Sequence, residues 1–359
     1  MQDLINTLIR AEILGLSAYH VQDNKGQIKL DAMENPYSLP AGLVEKWLEV
    51  LRTARLNLYP DPAAKELNLK LKSTMQVPNG FELLLGNGSD ELIQIMLLAL
   101  AKPGAKVLSL EPTFVMYEMI ARFCGLQYIK VELDSDLTIN ENILLQAVGK
   151  HKPEIIFIAN PNNPSGNLFN REVLERVLQE APGLVIIDEA YFSFTDESFM
   201  QDLEKYPDKL LIMRTVSKLG LAGLRLGLLA GHPDWIQEFN KVRLPYNINV
   251  LTQISAAFFL KHYAVFESQS QQIINERQSL FSQLDALEAI TAYCSEANFI
   301  LFKVPQGQAD RIHTELINKG ILIKNLNGSY NKKLKDCLRV TVGTEEENTI
   351  FLGALKEIL

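Results

Sequence analysis

The sequence predicts an α/β fold, with a large domain on a mostly parallel sheet and a smaller α+β domain after it. Three observations carry that reading. Short apolar runs alternate with helix-period segments from Phe81 to Ala230, the pattern of a parallel sheet with helical crossovers. Near Asn247 this alternation gives way to one long helical run and then to a mixed pattern. The 359 residues, 47% of them hydrophobic, suffice for about two domains. The expected boundaries are 1–30 for an N-terminal arm, 31–250 for the large domain and 251–359 for the small C-terminal domain.

Met1 to Leu16 mixes acids and amides among apolar positions; it reads as an amphipathic arm, without the basic-then-apolar pattern of a secretion signal. Ile28 to Leu30 is a short strand, and Asp31-Ala32-Met33-Glu34-Asn35-Pro36-Tyr37 a loop. Leu43, Val44, Trp47, Leu48 and Leu51 recur at helical spacing within Leu43 to Leu56, and Tyr59-Pro60-Asp61-Pro62 breaks the chain before a second helix from Ala63. Phe81 to Leu85 leads through Gly86-Asn87-Gly88-Ser89-Asp90-Glu91 into a buried helix, Leu92 to Ala101. Strands follow at Lys106 to Leu110, Tyr128 to Val131, Ile155 to Ala159, Leu184 to Ile187, Leu210 to Met213 and Leu224 to Ala230, with helices at Met116 to Phe123 and Arg171 to Glu180. The small domain takes a helix from Gln253 to about Leu284, alternation over Thr291 to Val304, a helix Ala309 to Asn318, strands Ile321 to Lys324 and Leu338 to Val342, and a closing helix.

A net charge of -8 argues against a sequence-independent grip on nucleic acid or an anionic membrane. The longest apolar runs, such as Leu92 to Ala101, fall well short of the ~20 residues that span a bilayer. Cys124, Cys294 and Cys337 are odd in number and scattered, so neither a disulfide framework nor a metal site is expected. A reduced, cytoplasmic setting fits this usage.

In open α/β sheets ligands collect beyond the carboxyl ends of the strands. Four such ends are polar: Gly88-Ser89-Asp90, Asn160-Pro161-Asn162-Asn163-Pro164-Ser165-Gly166, Asp188-Glu189-Ala190-Tyr191 and Ser217-Lys218. Taken singly, each has a plain reading: a turn for the Asn-Pro run, a helix cap for Asp188 or Ser89, a solvated amine for Lys218. Yet Lys218 follows an apolar strand and precedes a glycine-punctuated segment ending in Arg225. Desolvation and a cationic neighbour there favour the neutral, nucleophilic amine.

Together, and in this order, the four ends match the needs of pyridoxal 5'-phosphate: a helix N-terminus for phosphate, donors for the phenolate, a carboxylate for the ring nitrogen and a lysine for the aldehyde. The stretch from Gly86 to Arg225 resembles fold type I pyridoxal phosphate-dependent aminotransferases, through Asn163-Pro164-Ser165-Gly166, Asp188-Glu189-Ala190-Tyr191 and Ser217-Lys218 with a later arginine. That resemblance implies a large domain with helices on both faces of its sheet, and a homodimer. It implies that Lys218 bears the cofactor and moves the substrate Cα proton. Asp188 would pair with the ring nitrogen, and Asn163 and Tyr191 with the phenolate oxygen. Gly88, Ser89, Asp90, Ser217 and Arg225 would hold the phosphate, with the Asp90 carboxylate turned away from it. Phe114, in Pro112-Thr113-Phe114, would stack on the ring, against the alternative of a core aromatic. Tyr59 would reach the partner's cofactor phosphate, or else be a turn residue before Pro60.

Glu34-Asn35-Pro36-Tyr37, Tyr59-Pro60-Asp61-Pro62, Arg214-Thr215-Val216-Ser217-Lys218, Pro245-Tyr246-Asn247 and Cys337-Leu338-Arg339-Val340-Thr341-Val342-Gly343-Thr344 resemble the histidinol-phosphate aminotransferase family over nearly the whole chain. Arg339 would then bind the substrate phosphate or carboxylate, with Asn163 beside it. Tyr19 would contact substrate or, as an arm residue, anchor a dimer, the arm itself packing on the small domain or the partner subunit. The implied reaction exchanges an amino group between L-histidinol phosphate and 2-oxoglutarate, giving imidazole-acetol phosphate and L-glutamate, in histidine biosynthesis. Aromatic amino acid transamination and threonine-phosphate decarboxylation are the alternatives that the same cofactor machinery supports. The sequence departs from the family pattern twice. Seven positions separate Lys218 from Arg225, one fewer than usual, and Lys324 stands where a second substrate arginine is common, a point charge without a bidentate fork.

Overall fold

Two sheets organise the chain in a computed structural model that describes residues 1–16, 26–329 and 331–359. The described strands are β1 (Ile28–Leu30), β2 (Glu82–Asn87), β3 (Lys106–Glu111), β4 (Gln127–Glu132), β5 (Ile155–Ala159), β6 (Leu184–Asp188), β7 (Leu210–Thr215), β8 (Leu226–Gly231), β9 (Thr291–Ala292), β10 (Phe299–Lys303), β11 (Ile321–Asn325) and β12 (Cys337–Thr341). The larger sheet runs β2-β8-β7-β6-β5-β3-β4. Its strands β3 to β7 pair in parallel, and β8 runs against both of its neighbours.

Every residue of β5, β6 and β7 is buried, as expected of parallel strands covered on both faces. Alternate side chains divide the core. Ile156, Ile158, Val185, Ile187 and Ile212 enter one hydrophobic cluster, while Ile155, Phe157, Ile186, Leu211 and Met213 enter another on the opposite face. This is the period of two that a pleated strand imposes. The α/β expectation is borne out, with helices on both faces.

The second sheet runs β1-β11-β12-β10-β9. Its edge strand β1 comes from the N-terminal segment and pairs in parallel with β11, so the loop 31–37 departs from the small sheet and crosses toward the large one. Arg10, between the short helices Gln2–Leu8 and Ala11–Leu14, donates to the Phe123 carbonyl. Tyr19 lies outside the described residues.

The helices Met116–Phe123, Arg171–Glu180 and Ala309–Asn318 have the ends that the sequence predicts. The run expected as one helix from Gln253 to Leu284 is two, Val250–Leu260 and Tyr263–Asp285. His262, at φ -114° and ψ 30°, leaves helical geometry. The first helix carries apolar side chains almost all round and packs on helices Ala41–Leu51 and Lys65–Thr74, where Trp47 Nε1 donates to Ser255 Oγ at 2.9 Å. The second lies on the small sheet. The strand expected from Leu224 begins at Leu226, because Arg225 sits in the left-handed region at φ 49°. Helices Glu141–His151 and Pro233–Asn240 are additions to the sequence reading, although Asn140 as a cap and Pro233 at the first helical position are recognised start signals. No described helix is long and apolar enough to cross a membrane.

Candidate active site

Because β5, β6 and β7 are parallel neighbours, their carboxyl ends open on one edge of the sheet. That edge holds a cavity of about 250 Å³. Ser89, Asp90, Phe114, Asn163, Asp188, Tyr191, Ser217, Lys218 and Arg225 all line it, and Ala32 to Glu34 close it from the small-sheet side. Nine side chains singled out by sequence therefore share one enclosure.

Lys218 stands in the turn Ser217–Leu219 directly after β7. Its Nζ lies 3.3 Å from the Ala32 carbonyl, to which it donates, and 5.9 Å from the Tyr191 ring centre. Burial, reinforced by the cations of Arg339 and Arg225, pushes its pKa down to about 8. An amine so placed reaches its neutral, nucleophilic form far more readily than a solvated lysine.

Asp188 ends β6. Its carboxylate accepts the Tyr117 hydroxyl on Oδ2 at 2.5 Å and the Ala190 N–H on Oδ1 at 3.0 Å. Burial pushes its pKa up to about 7, with these hydrogen bonds pulling the other way. Tyr191 is buried with its ring edge-on to Phe299 at 5.2 Å, and burial raises its phenol above the ordinary range.

At the end of β2, Gly88 takes φ +86° and leads into helix Ser89–Leu100 without a side-chain cap. A Cβ on Gly88 would fall 2.6 Å from Arg225 Nη2, and one on Gly227 2.8 Å from the Ser89 nitrogen. These glycines let the guanidinium and the helix N-terminus converge, an arrangement suited to an anion. The seven-position link from Lys218 is taken up by the turns Ser217–Leu219 and Ala222–Leu224, with Gly220 at φ +108°. Arg225 reaches the cavity despite the shortening. Ser217 Oγ accepts from Thr215 Oγ1 at 2.8 Å.

The Asp90 carboxylate turns toward Arg225. Its Oδ2 lies 3.7 Å from Arg225 Nη2, and its Oδ1 is buried without a hydrogen bond. Arg225, held over Gly88, faces Asp90 as its one ion-pair partner among the described residues. Burial raises the Asp90 pKa, opposed by Arg225 and Lys218.

Arg339 enters from the other sheet. It is 6% exposed, donates through Nη1 to Asn163 Oδ1 and through Nη2 to the Asp31 carbonyl at 3.1 Å, and lies 5.1 Å from the Phe299 ring centre. Lys324 is its cross-strand partner on β11, half-buried and absent from the cavity wall. Tyr59 is 81% exposed and stacks on Tyr246 at 4.5 Å, away from the cavity of its own chain.

Several residues with no role assigned from the sequence also shape the site. Tyr117 lies three positions after Phe114, on the same side of the helix start. Asn162 accepts from Thr113 Oγ1 at 2.8 Å and donates to the Pro112 carbonyl at 3.1 Å and to Ser165 Oγ at 2.8 Å, which ties the Phe114 segment to the Asn163 loop. Glu189 takes two hydrogen bonds from buried Arg214, at 2.9 and 2.7 Å, so the acid beside Asp188 is spent on joining the ends of β6 and β7. Among the described residues no cluster of acidic, His or Cys side chains is placed to hold a metal.

The model of the family described as "Aminotransferase class I and II" matches residues 25–355. A histidinol-phosphate aminotransferase 2 of Nitrosococcus oceani is 52% identical over 355 residues, 99% of this chain and 98% of that one. Among solved structures, the histidinol-phosphate aminotransferase of Clostridium acetobutylicum superposes with a TM-score of 0.83 at 26% identity, covering 92% of this chain and 98% of that one. The Sinorhizobium meliloti enzyme of the same name, solved in complex with pyridoxal-5'-phosphate, shares the fold at a TM-score of 0.87 and 22% identity, covering 98% of this chain and 97% of that one. Matched nearly end to end, the chain belongs to the class I and II aminotransferase family, among the histidinol-phosphate aminotransferases.

Proposed function

We propose that this chain catalyses pyridoxal phosphate-dependent transamination between L-histidinol phosphate and 2-oxoglutarate, giving imidazole-acetol phosphate and L-glutamate, as a step of histidine biosynthesis. The observation that carries the reading is the convergence of Lys218, Asp188, Asn163 and the Ser89–Arg225 cradle on one cavity, with Arg339 bonded to Asn163 from behind its lining. The residues fit the cofactor: an amine with a depressed pKa, a buried carboxylate, and a glycine-opened helix start that a Cβ would block. When bound, that cofactor serves as an electron sink for the substrate carbanion.

Lys218 would hold the cofactor aldehyde and, once displaced by substrate, carry the proton from the substrate Cα. Asp188 would keep the ring nitrogen protonated. Asn163 and Tyr191 would donate to the phenolate oxygen, and Phe114 would cover the ring. The N–H groups of Ser89 and Asp90, with Ser217 and Arg225, would take the phosphate. Arg339 would receive the phosphate or carboxylate of the substrate, both suited to a planar fork, with Lys324 as a second cation nearby and Tyr19 from the arm. The division into arm, large domain and small domain at residues 30 and 250 belongs to the same reading, with substrate binding between the two larger units.

We also propose a cytoplasmic homodimer in which Tyr59 reaches the partner's site. Its support is the exposed apolar surface at Leu56, Leu58, Tyr59 and Leu244, each more than half accessible, unusual for a monomer surface. Sedimentation of the loaded protein at twice the chain mass is the expected result. Glutamate formation from L-histidinol phosphate and 2-oxoglutarate, dependent on added cofactor and lost in Lys218→Ala, tests the reaction; no glutamate from the unaltered protein contradicts it.

A further inference from the structure

Tyr117 is wholly buried at the start of helix Met116–Phe123. Its ring stacks on Phe157 at 4.9 Å and meets the edge of Phe114 at 5.5 Å. A phenylalanine would fill that space equally well. The hydroxyl is accounted for by one contact, the 2.5 Å hydrogen bond to Asp188 Oδ2. Asp188 in turn lines the cavity, so Tyr117 stands one bond behind the site and takes no part in its wall.

We propose that Tyr117 is a positioning residue for the transamination: its hydroxyl holds Asp188 ionised and fixed in orientation, and thereby decides whether the cofactor ring nitrogen keeps its proton. The inference rests on the cofactor reading above. A proton shared by a buried carboxylate and a ring nitrogen sits on the more basic of the two. A hydroxyl that donates to the carboxylate stabilises its anion and leaves the acid form unaided, which favours the proton on the ring.

The surroundings of Asp188 make this donor matter. Burial raises the carboxyl, Asp90 on helix Ser89–Leu100 and Glu189 directly after the strand raise it further, and the Tyr117 hydroxyl and Ala190 N–H oppose them. The Glu189 charge is held by Arg214. Tyr191 also faces Asp188, as a neutral phenol. Tyr117 cannot become the base itself, because burial and the Asp188 charge hold its own pKa well above the ordinary phenol. It is a permanent donor.

The test uses Tyr117→Phe, loaded with pyridoxal phosphate and with the same cofactor carrying a ¹⁵N ring nitrogen. The expected results are a ¹⁵N shift from protonated toward neutral and an upward move of about one pH unit in the visible-band transition, the size of one hydrogen bond to a charge. The transition rises because a ring cation lowers the basicity of the lysine linkage and its loss restores it. Turnover is expected to fall about tenfold, with KM little changed. In an Asp188→Asn background the same substitution is expected to add nothing, since Tyr117 acts only through the carboxylate. An unshifted ¹⁵N signal and band in loaded Tyr117→Phe would overturn the inference and leave the functional reading standing. An equal effect in the Asp188→Asn background would overturn it too, making the role one of packing. If the unaltered protein never develops a lysine-linked band, the functional reading fails and this inference with it.

Discussion

The floor and the far wall of the cavity are built in opposite ways. The floor comes from neighbouring parallel strands whose ends are fixed by continuous burial and by the Glu189–Arg214 pair. Its residues sit within a few positions of a strand end, so each follows from local structure. The far wall joins three distant segments: behind the lining residues Ala32 to Glu34 and Asn163, Arg339 of β12, itself outside the lining, donates to both the Asp31 carbonyl and Asn163. Under the proposed function the difference separates chemistry from choice of substrate: the floor would supply groups that any transamination needs, and the far wall the cation that would meet the variable end of the substrate.

Substitutions sharpen that contrast, beginning on the floor. Lys218→Ala would remove the proposed attachment point and proton carrier together and is expected to cost about 10⁴-fold or more in turnover with every amino donor. Its visible band disappears at the same time, and a retained band would refute the assignment. Asp188→Ala is expected to lower kcat by about 10²- to 10³-fold, again for all donors, as the loss of one fixed electrostatic partner does.

The far wall predicts selective losses. Arg339→Ala should cost about 10²-fold in kcat/KM with the phosphorylated substrate, the scale of a buried charged hydrogen-bond pair, while the lysine-linked spectrum stays intact. Arg339→Lys should recover part of the loss, since a point charge lacks the fork. A spectrum lost in Arg339→Ala would place Arg339 with the floor and break the comparison.

The buried floor groups also set a pH dependence of stability in protein stripped of cofactor. Asp188, raised to about 7, holds its proton in the folded state after the unfolded chain has lost it, so its contribution is full at low pH and is lost as pH rises toward 7. Lys218, lowered to about 8, gives up its proton before the unfolded chain does, so stability recovers as pH rises from about 8 toward the ordinary lysine range. Thermal melts across pH should show the first slope flattened in Asp188→Asn and the second in Lys218→Met. The smallest effect is expected at Asp90, whose partner Arg225 is half exposed. Asp90→Asn should tighten inorganic phosphate binding to the stripped protein a few-fold, by freeing Arg225 under solvent screening.

The legibility of the sequence follows the same division. Asn163, Asp188, Tyr191 and Lys218 are readable because they follow strand ends, and the polar ends taken together carry the resemblance through which Gly88, at φ +86°, is also named. Arg339 was readable only through its motif, as no local rule says which wall it meets. Tyr117 was not readable as a partner of Asp188, because their contact joins residues 71 positions apart. The split of the long helical run at Lys261 and His262 escaped a periodicity that continues on either side. The orientation of the Asp90 carboxylate depends on where Arg225 arrives after a left-handed turn, which spacing alone does not supply.

The division of labour is tested most directly by single half-reactions of the cofactor-loaded protein with L-histidinol phosphate, phenylalanine, tyrosine and threonine phosphate, each followed by loss of the lysine-linked absorbance. Fast conversion by histidinol phosphate, and conversion at least about tenfold slower by the others, is the predicted result. An absorbance unmoved by histidinol phosphate and bleached by one of the other three would contradict it.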